Sequence, residues 1–182
     1  MKKGTEFRPF LNCLFAKKEV FPIIVRKAEL KDAALLSETR KHQLIDEGIL
    51  PDCDIDKELD AFFNKWLVSK DFFQLIAEED GKLLSTAAVI YYDLPPSYTN
   101  KIGVRGYITN VYTVPEHRRK GLSKMLLTEL LKDAEKRGIK KLWLGASKDG
   151  RPLYEKLGFI RDGERKNYYE NRETAVLMSL TL

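Results

Sequence analysis

Ligating side chains are scarce in this sequence: Cys13, Cys53, His42 and His117 are its only cysteines and histidines in 182 residues. So few, so far apart, they exclude a disulfide framework and a metal-finger spacing. The reading is reduced thiols, no metal and a cytoplasmic chain. No apolar run approaches the ~20 residues that cross a bilayer, which argues against a membrane partner. Residues 1–21 lack the clean apolar core and small-residue cleavage site of a secretory signal. They are read as an N-terminal extension to one domain spanning 22–182. Repeats, linkers and low-complexity stretches are missing. A large excess of one charge is missing too: 32 basic residues oppose 27 acidic ones, for a net +5. That balance suits an anionic ligand but is weak ground for nucleic acid. No recognition-helix pattern or exposed aromatic platform adds to it. The length and composition fit one globular domain with a sizeable core.

The most informative stretch runs from Gly106 to Lys124. Tyr107, Ile108, Val111, Tyr112 and Val114 suit a pleated strand, and Pro115, with no N–H to donate, ends it. Arg118-Arg119-Lys120-Gly121-Leu122-Ser123 follows as a short basic loop. Then Leu122, Met125, Leu126, Leu130 and Ala134 recur at helical spacing, widened by Leu127 and Leu131. A helix N-terminus carries unpartnered N–H groups and the positive end of the macrodipole, so it attracts anions. Cations at such an end oppose the helix unless an anion joins them. Gly121 allows close backbone approach, and Ser123 keeps the next turn narrow. Strand, basic loop and helix together read as a phosphate site, with Arg118, Arg119, Lys120 and Lys124 supplying charge.

Around this unit the chain alternates. A first strand is expected at Ile23–Ala28 and a helix from Lys31 on Ala33, Ala34, Leu35, Leu36, Leu44 and Ile45, closed by Gly48. A second helix, Asp56–Val68, carries the stripe Leu59, Phe62, Phe63, Trp66 and Leu67, read as core. Strands follow at Phe72–Glu78 and Leu83–Tyr92 around a turn at Glu79-Asp80-Gly81. After the central unit come a strand at Lys140–Ala146, a short helix from Gly150 to Leu157, and closing strands at Phe159–Asp162 and Thr174–Leu180. This order predicts an α/β (α+β) fold: a mixed, mostly antiparallel sheet of about seven strands with helices on both faces. The segment 106–146 should form a parallel crossover.

The loop Arg118–Ser123 resembles the Arg/Gln-x-x-Gly-x-Gly/Ala signature of the GNAT superfamily of N-acetyltransferases. Ser123 stands where that family usually has Gly or Ala. Leu153-Tyr154-Glu155-Lys156-Leu157-Gly158-Phe159 resembles the family's Leu-Tyr-x-Lys-x-Gly-Phe segment. The position seven residues before the tyrosine, often Asn in the family, is Ser147 here. The resemblance covers about residues 23–182 and implies the GNAT fold, with acetyl-CoA as co-substrate. It also implies diphosphate binding by Arg118, Arg119, Lys120, Gly121, Leu122 and Ser123, and a contact from Ser147 to the pantetheine arm.

Moving an acetyl group from a thioester to an amine makes three chemical demands. The carbonyl must be polarised, which the resemblance assigns to a backbone N–H near Tyr112 or Thr113. The departing thiolate needs a proton, for which Tyr154 is the implied acid. The attacking amine must be neutral, yet a lysine-like amine has a pKa of ~10.4. Asp93, Glu47, Asp46 and Tyr107 are open as bases. The acceptor is expected to be a primary amine of a small molecule or peptide. The first two helices and the loop Pro95–Gly103 are expected to shape its pocket. A homodimer is left open. The rival reading is a non-catalytic acyl-CoA-binding regulatory protein, which needs the loop but not the phenol.

Overall fold

The computed structural model describes residues 22–165 and 175–182. Its elements are β1 (Ile24–Lys27), a 3-10 turn (Leu30–Asp32), α1 (Ala33–Asp46), α2 (Asp56–Trp66), β2 (Phe72–Glu79), β3 (Lys82–Asp93) and β4 (Val104–Thr113). A second 3-10 turn (Pro115–His117) precedes α3 (Leu122–Lys136), β5 (Lys141–Ala146), α4 (Arg151–Lys156), β6 (Ile160–Arg165) and β7 (Ala175–Thr181). The expected extension over 1–21 and Thr174, the expected start of the last strand, lie outside the described residues.

Among the described residues, seven strands form one sheet in the order β1-β2-β3-β4-β5-β7-β6. β4 and β5 are parallel, and the other described pairs are antiparallel. The β2–β3 connection uses Asp80 at φ +50° and Gly81 at φ +69°, the left-handed pair that matches hairpin twist.

Period-two alternation splits the core into two layers. Leu75 and Ala77 of β2 face α3, joining Val89, Ile108, Leu126, Leu127, Leu130 and Leu142. Phe72 and Ile76 of the same strand face α1 and α2, joining Ala33, Leu36, Phe63 and Leu67. The aromatic stripe of α2 is therefore core, with Phe62 edge-on to Phe63 and Phe72. Burying each such side chain contributes roughly 1.5–3 kcal/mol.

Two helix expectations need correction. α2 stops at Trp66, and Val68 lies beyond it, 69% exposed. In α1 the buried face includes Ser37, Thr39 and Gln43, whereas Leu35 and Ile45 are exposed. Polarity at those buried positions is tolerated because partners exist. Ser37 Oγ donates to Asp60 of α2, Thr39 Oγ1 to the Leu35 carbonyl, and Gln43 Nε2 to Glu47.

The entry to α1 is tied to the sheet edge by ion pairs. Arg26 of β1 contacts Asp32 at 2.7 Å and Glu78 of β2 at 2.9 Å. Asp32 also accepts the Glu29 N–H at 2.8 Å. The Arg26 hydrogen bond, more than the Glu29 N–H, holds the Asp32 carboxyl below its ordinary range, although burial opposes it.

Candidate functional site

β4 and β5 pair only at Gly106↔Leu142 and Tyr107↔Trp143 among the described residues. β4 continues to Thr113 and β5 to Ala146. The β5-facing edge of Ile108–Thr113 is thus left without a strand partner, which opens the sheet toward the basic loop.

A bulge lies in the same stretch of β4. Its partners on β3 step from Ala88↔Thr109 to Thr86↔Tyr112, so β4 carries one extra residue. Asn110 sits in this bulge at φ +51°, a region that asparagine tolerates better than most side chains. The extra residue reverses the facing of the residues beyond it. Ile108 packs on the α3 side, yet Tyr112 reaches α1 and Thr113 reaches α3. In a regular strand Ile108 and Tyr112 would share a face.

The end of β4 is clamped on both sides. Toward α3, Thr113 Oγ1 and Ser123 Oγ lie 2.6 Å apart, and Thr113 Oγ1 is 2.8 Å from Ser85 Oγ. Ser85 Oγ donates to the Tyr112 carbonyl at 2.8 Å. Each hydroxyl has one proton, so with Ser85 committed to that carbonyl Thr113 donates to Ser85, and Ser123 donates to Thr113. Toward α1, the Tyr112 hydroxyl donates to Asp46 Oδ2 at 2.9 Å. Burial, and then this hydrogen bond, raise the Tyr112 pKa above its ordinary value, so the phenol keeps its proton.

The basic loop is shaped by two left-handed residues, Arg119 at φ +64° and Gly121 at φ +84°. A Cβ on Gly121 would meet no heavy atom within 4 Å, so the space before it is open. α3 has no side-chain cap. Its first 1–5 amide bond runs from the Met125 N–H to the Gly121 carbonyl, so the N–H groups of Leu122, Ser123 and Lys124 have no helical acceptor. Open space and three adjacent donors fit a diphosphate.

Of the expected cations, Arg118 has partners within the protein: its Nε donates to the Thr113 carbonyl at 3.0 Å, and its guanidinium pairs with Asp46 and lies over the Tyr112 ring. Arg119, Lys120 and Lys124 are exposed. Ser147, expected to contact the pantetheine arm, accepts the Gly150 N–H on Oγ at 3.2 Å and shapes the turn into α4. Tyr154 on α4 is 7% exposed and belongs to the core layer on the α3 side, its ring 5.9 Å from Phe159.

Of the residues considered as bases, Asp46 is brought to the end of β4, and Glu47 follows it at the end of α1. Tyr107 lies at the last β4–β5 pair. Asp93 and the loop 94–103 lie at the other end of β4, ten residues or roughly 30 Å away at ~3.3 Å per residue, so that loop does not border the basic loop. Sequence reasoning missed the bulge and the partners of Ser85 and Asp46. The one local signal was Asn110, a residue depleted in strands, within an otherwise β-prone run.

The model of the Acetyltransferase (GNAT) family matches residues 38–159. The chain belongs to the GNAT acetyltransferase family. A solved structure of the family, described as a predicted acetyltransferase with acetyl-CoA from Clostridium acetobutylicum, is 49% identical. It covers 76% of this chain and 90% of its own, with a TM-score of 0.74. The [ribosomal protein bS18]-alanine N-acetyltransferase of Escherichia coli K12 is 38% identical over 79 residues, 40% of this chain. The chain spans about half, 53%, of that relative's length. The protein of the same name in Haemophilus ducreyi is 28% identical over 146 residues, 70% of this chain and 99% of the relative. No described helix is long and apolar enough to cross a membrane.

Proposed function

We propose that this GNAT protein is an acetyl-CoA-dependent N-acetyltransferase acting on a primary amine of a peptide or small molecule. The observation that carries the reading is the junction of β4 and α3: an unpaired strand edge leads into a loop with open space at Gly121 and three free first-turn donors. Arg119, Lys120, Gly121, Leu122 and Ser123 would hold the diphosphate, with Arg118 holding the loop from behind. Ser147 would meet the pantetheine arm through the proton of its hydroxyl. Acetyl-CoA supplies the acyl group as a thioester. Backbone donors at Tyr112 and Thr113 would polarise its carbonyl, and the Tyr154 phenol would protonate the departing sulfur. The domain would span 22–182 and act in the cytoplasm, as a monomer or homodimer.

The relatives named for a ribosomal-protein alanine favour a peptide N-terminal amine as acceptor. An α-amine has a pKa of about 7.7–8.0, so at neutral pH its neutral fraction is several hundredfold that of a lysine amine near ~10.4. Such an acceptor asks little of a general base. The test is thiol release from acetyl-CoA across amines, polyamines and peptides at several pH values. Amine-dependent release, with kcat/KM rising through the acceptor's own pKa, is the expected result. Tight acetyl-CoA binding without amine-dependent release would favour the non-catalytic binder instead.

A further inference from the structure

The carboxylate of Asp46 joins three parts of the molecule that are distant in sequence. It closes α1, accepts the hydroxyl of Tyr112 on β4, and pairs with Arg118 at the start of the basic loop. Arg118 in turn donates to the Thr113 carbonyl, the residue whose hydroxyl meets Ser123 in the first turn of α3. A single carboxylate therefore fixes the last two residues of β4 and the first cation of the basic loop.

We infer that Asp46 is a positioning residue for the acyl donor, acting through Arg118 and Tyr112 to hold the diphosphate loop in its binding shape. This rests on the proposed acetyl-CoA reading and adds a residue outside the loop signature. The loop needs such support. It holds Arg119 in a left-handed conformation, which costs about 1–2 kcal/mol for a residue with a side chain. It also gathers cations at a helix N-terminus, which repel the macrodipole until an anion arrives. Among the charged groups there, Arg118 is the one whose guanidinium is engaged from behind, so it anchors the backbone instead of adding to the repulsion.

A plain electrostatic role gives the opposite sign for one variant. If Asp46 and Arg118 acted only as charges near a polyanion, removing the carboxylate would tighten donor binding and removing the guanidinium would weaken it. If they act together as an anchor, removing either one weakens it. The experiment measures acetyl-CoA affinity by calorimetry for wild type, Asp46→Asn and Arg118→Gln, with the double variant and thermal melts alongside. Both single variants should lose roughly tenfold, and the double variant little more, because the two act as one unit. Affinity for coenzyme A, which keeps the diphosphate but has no acyl group to polarise, should fall by the same factor in Asp46→Asn. A base acting on the acceptor would leave both affinities unchanged, and a general stabiliser would lower the melting temperature without lowering them.

Opposite shifts in the two single variants, or unchanged affinity of Asp46→Asn for coenzyme A, would overturn the assignment while leaving the acetyltransferase reading intact. Failure of the wild type to bind acetyl-CoA would overturn both. If Asp46→Asn does not fold, Tyr112→Phe removes one of the two contacts of the carboxylate and should give a smaller loss in the same direction; no loss there sinks the idea.

Discussion

Thr113 and Ser123 meet hydroxyl to hydroxyl at 2.6 Å, closing the ends of the basic loop that separates them. The serine found where GNAT proteins usually carry Gly or Ala is thus used inside the protein, to tie β4 to α3. Removing its hydroxyl with Ser123→Ala should cost about 1 kcal/mol, the net value of one hydrogen bond. Donor affinity should fall only a few-fold, because the backbone donors of α3 remain. A melt combined with calorimetry checks both; an affinity loss above a hundredfold would mean that the hydroxyl itself touches the ligand.

Gly121 separates backbone strain from ligand contact. Alanine there must adopt φ near +84°, costing about 1–2 kcal/mol, but its methyl would touch nothing in the free protein. Gly121→Ala should therefore melt a few degrees lower and still fold. Gly121→Trp should abolish acetyl-CoA binding by filling the open space. Unchanged affinity in the tryptophan variant would rule the loop out as the diphosphate site.

Tyr154 is tested by Tyr154→Phe. The ring stays in its pocket beside Phe159, so acetyl-CoA affinity should change little. If the phenol protonates the leaving thiolate, kcat should fall ~10²–10⁴-fold. Full turnover with chemistry shown to be rate-limiting would reduce Tyr154 to packing.

Asp32 sets an acid limit on stability. Its pKa is lowered in the folded state by Arg26 first, with the Glu29 N–H adding to it. A depressed carboxylate stabilises the fold above its unfolded pKa of ~3.9, and that contribution is lost as pH falls through the lower folded value. Asp32→Asn should be less stable than wild type at neutral pH by about 1–3 kcal/mol. The gap should close as pH drops below about 4. Denaturant titrations at several pH values test this; a gap that widens in acid would reverse the sign of the linkage.

Local chemistry determined much of this protein from the sequence alone. Alternation and helical spacing are short-range, so the strands, α2 and the buried stripe of α3 were legible to within a few residues. So was the Asp80-Gly81 turn, whose residue types are demanded by its dihedral angles. The basic loop was legible because its glycine, its cations and the helix after it lie side by side in the chain. Only the tertiary structure decided what the side chains at that loop do. One extra residue at Asn110 reverses the facing of Tyr112, and a bulge is set by pairing with β3, not by the strand's own composition. Arg118 reads as one more cation until α1 brings Asp46 to it across 72 residues of chain. Serine in place of glycine reads as a near-miss until β4 brings Thr113 within reach. Such contacts form between residues that share no local pattern, and the packing of α1 and α3 on opposite faces of one sheet brings them together.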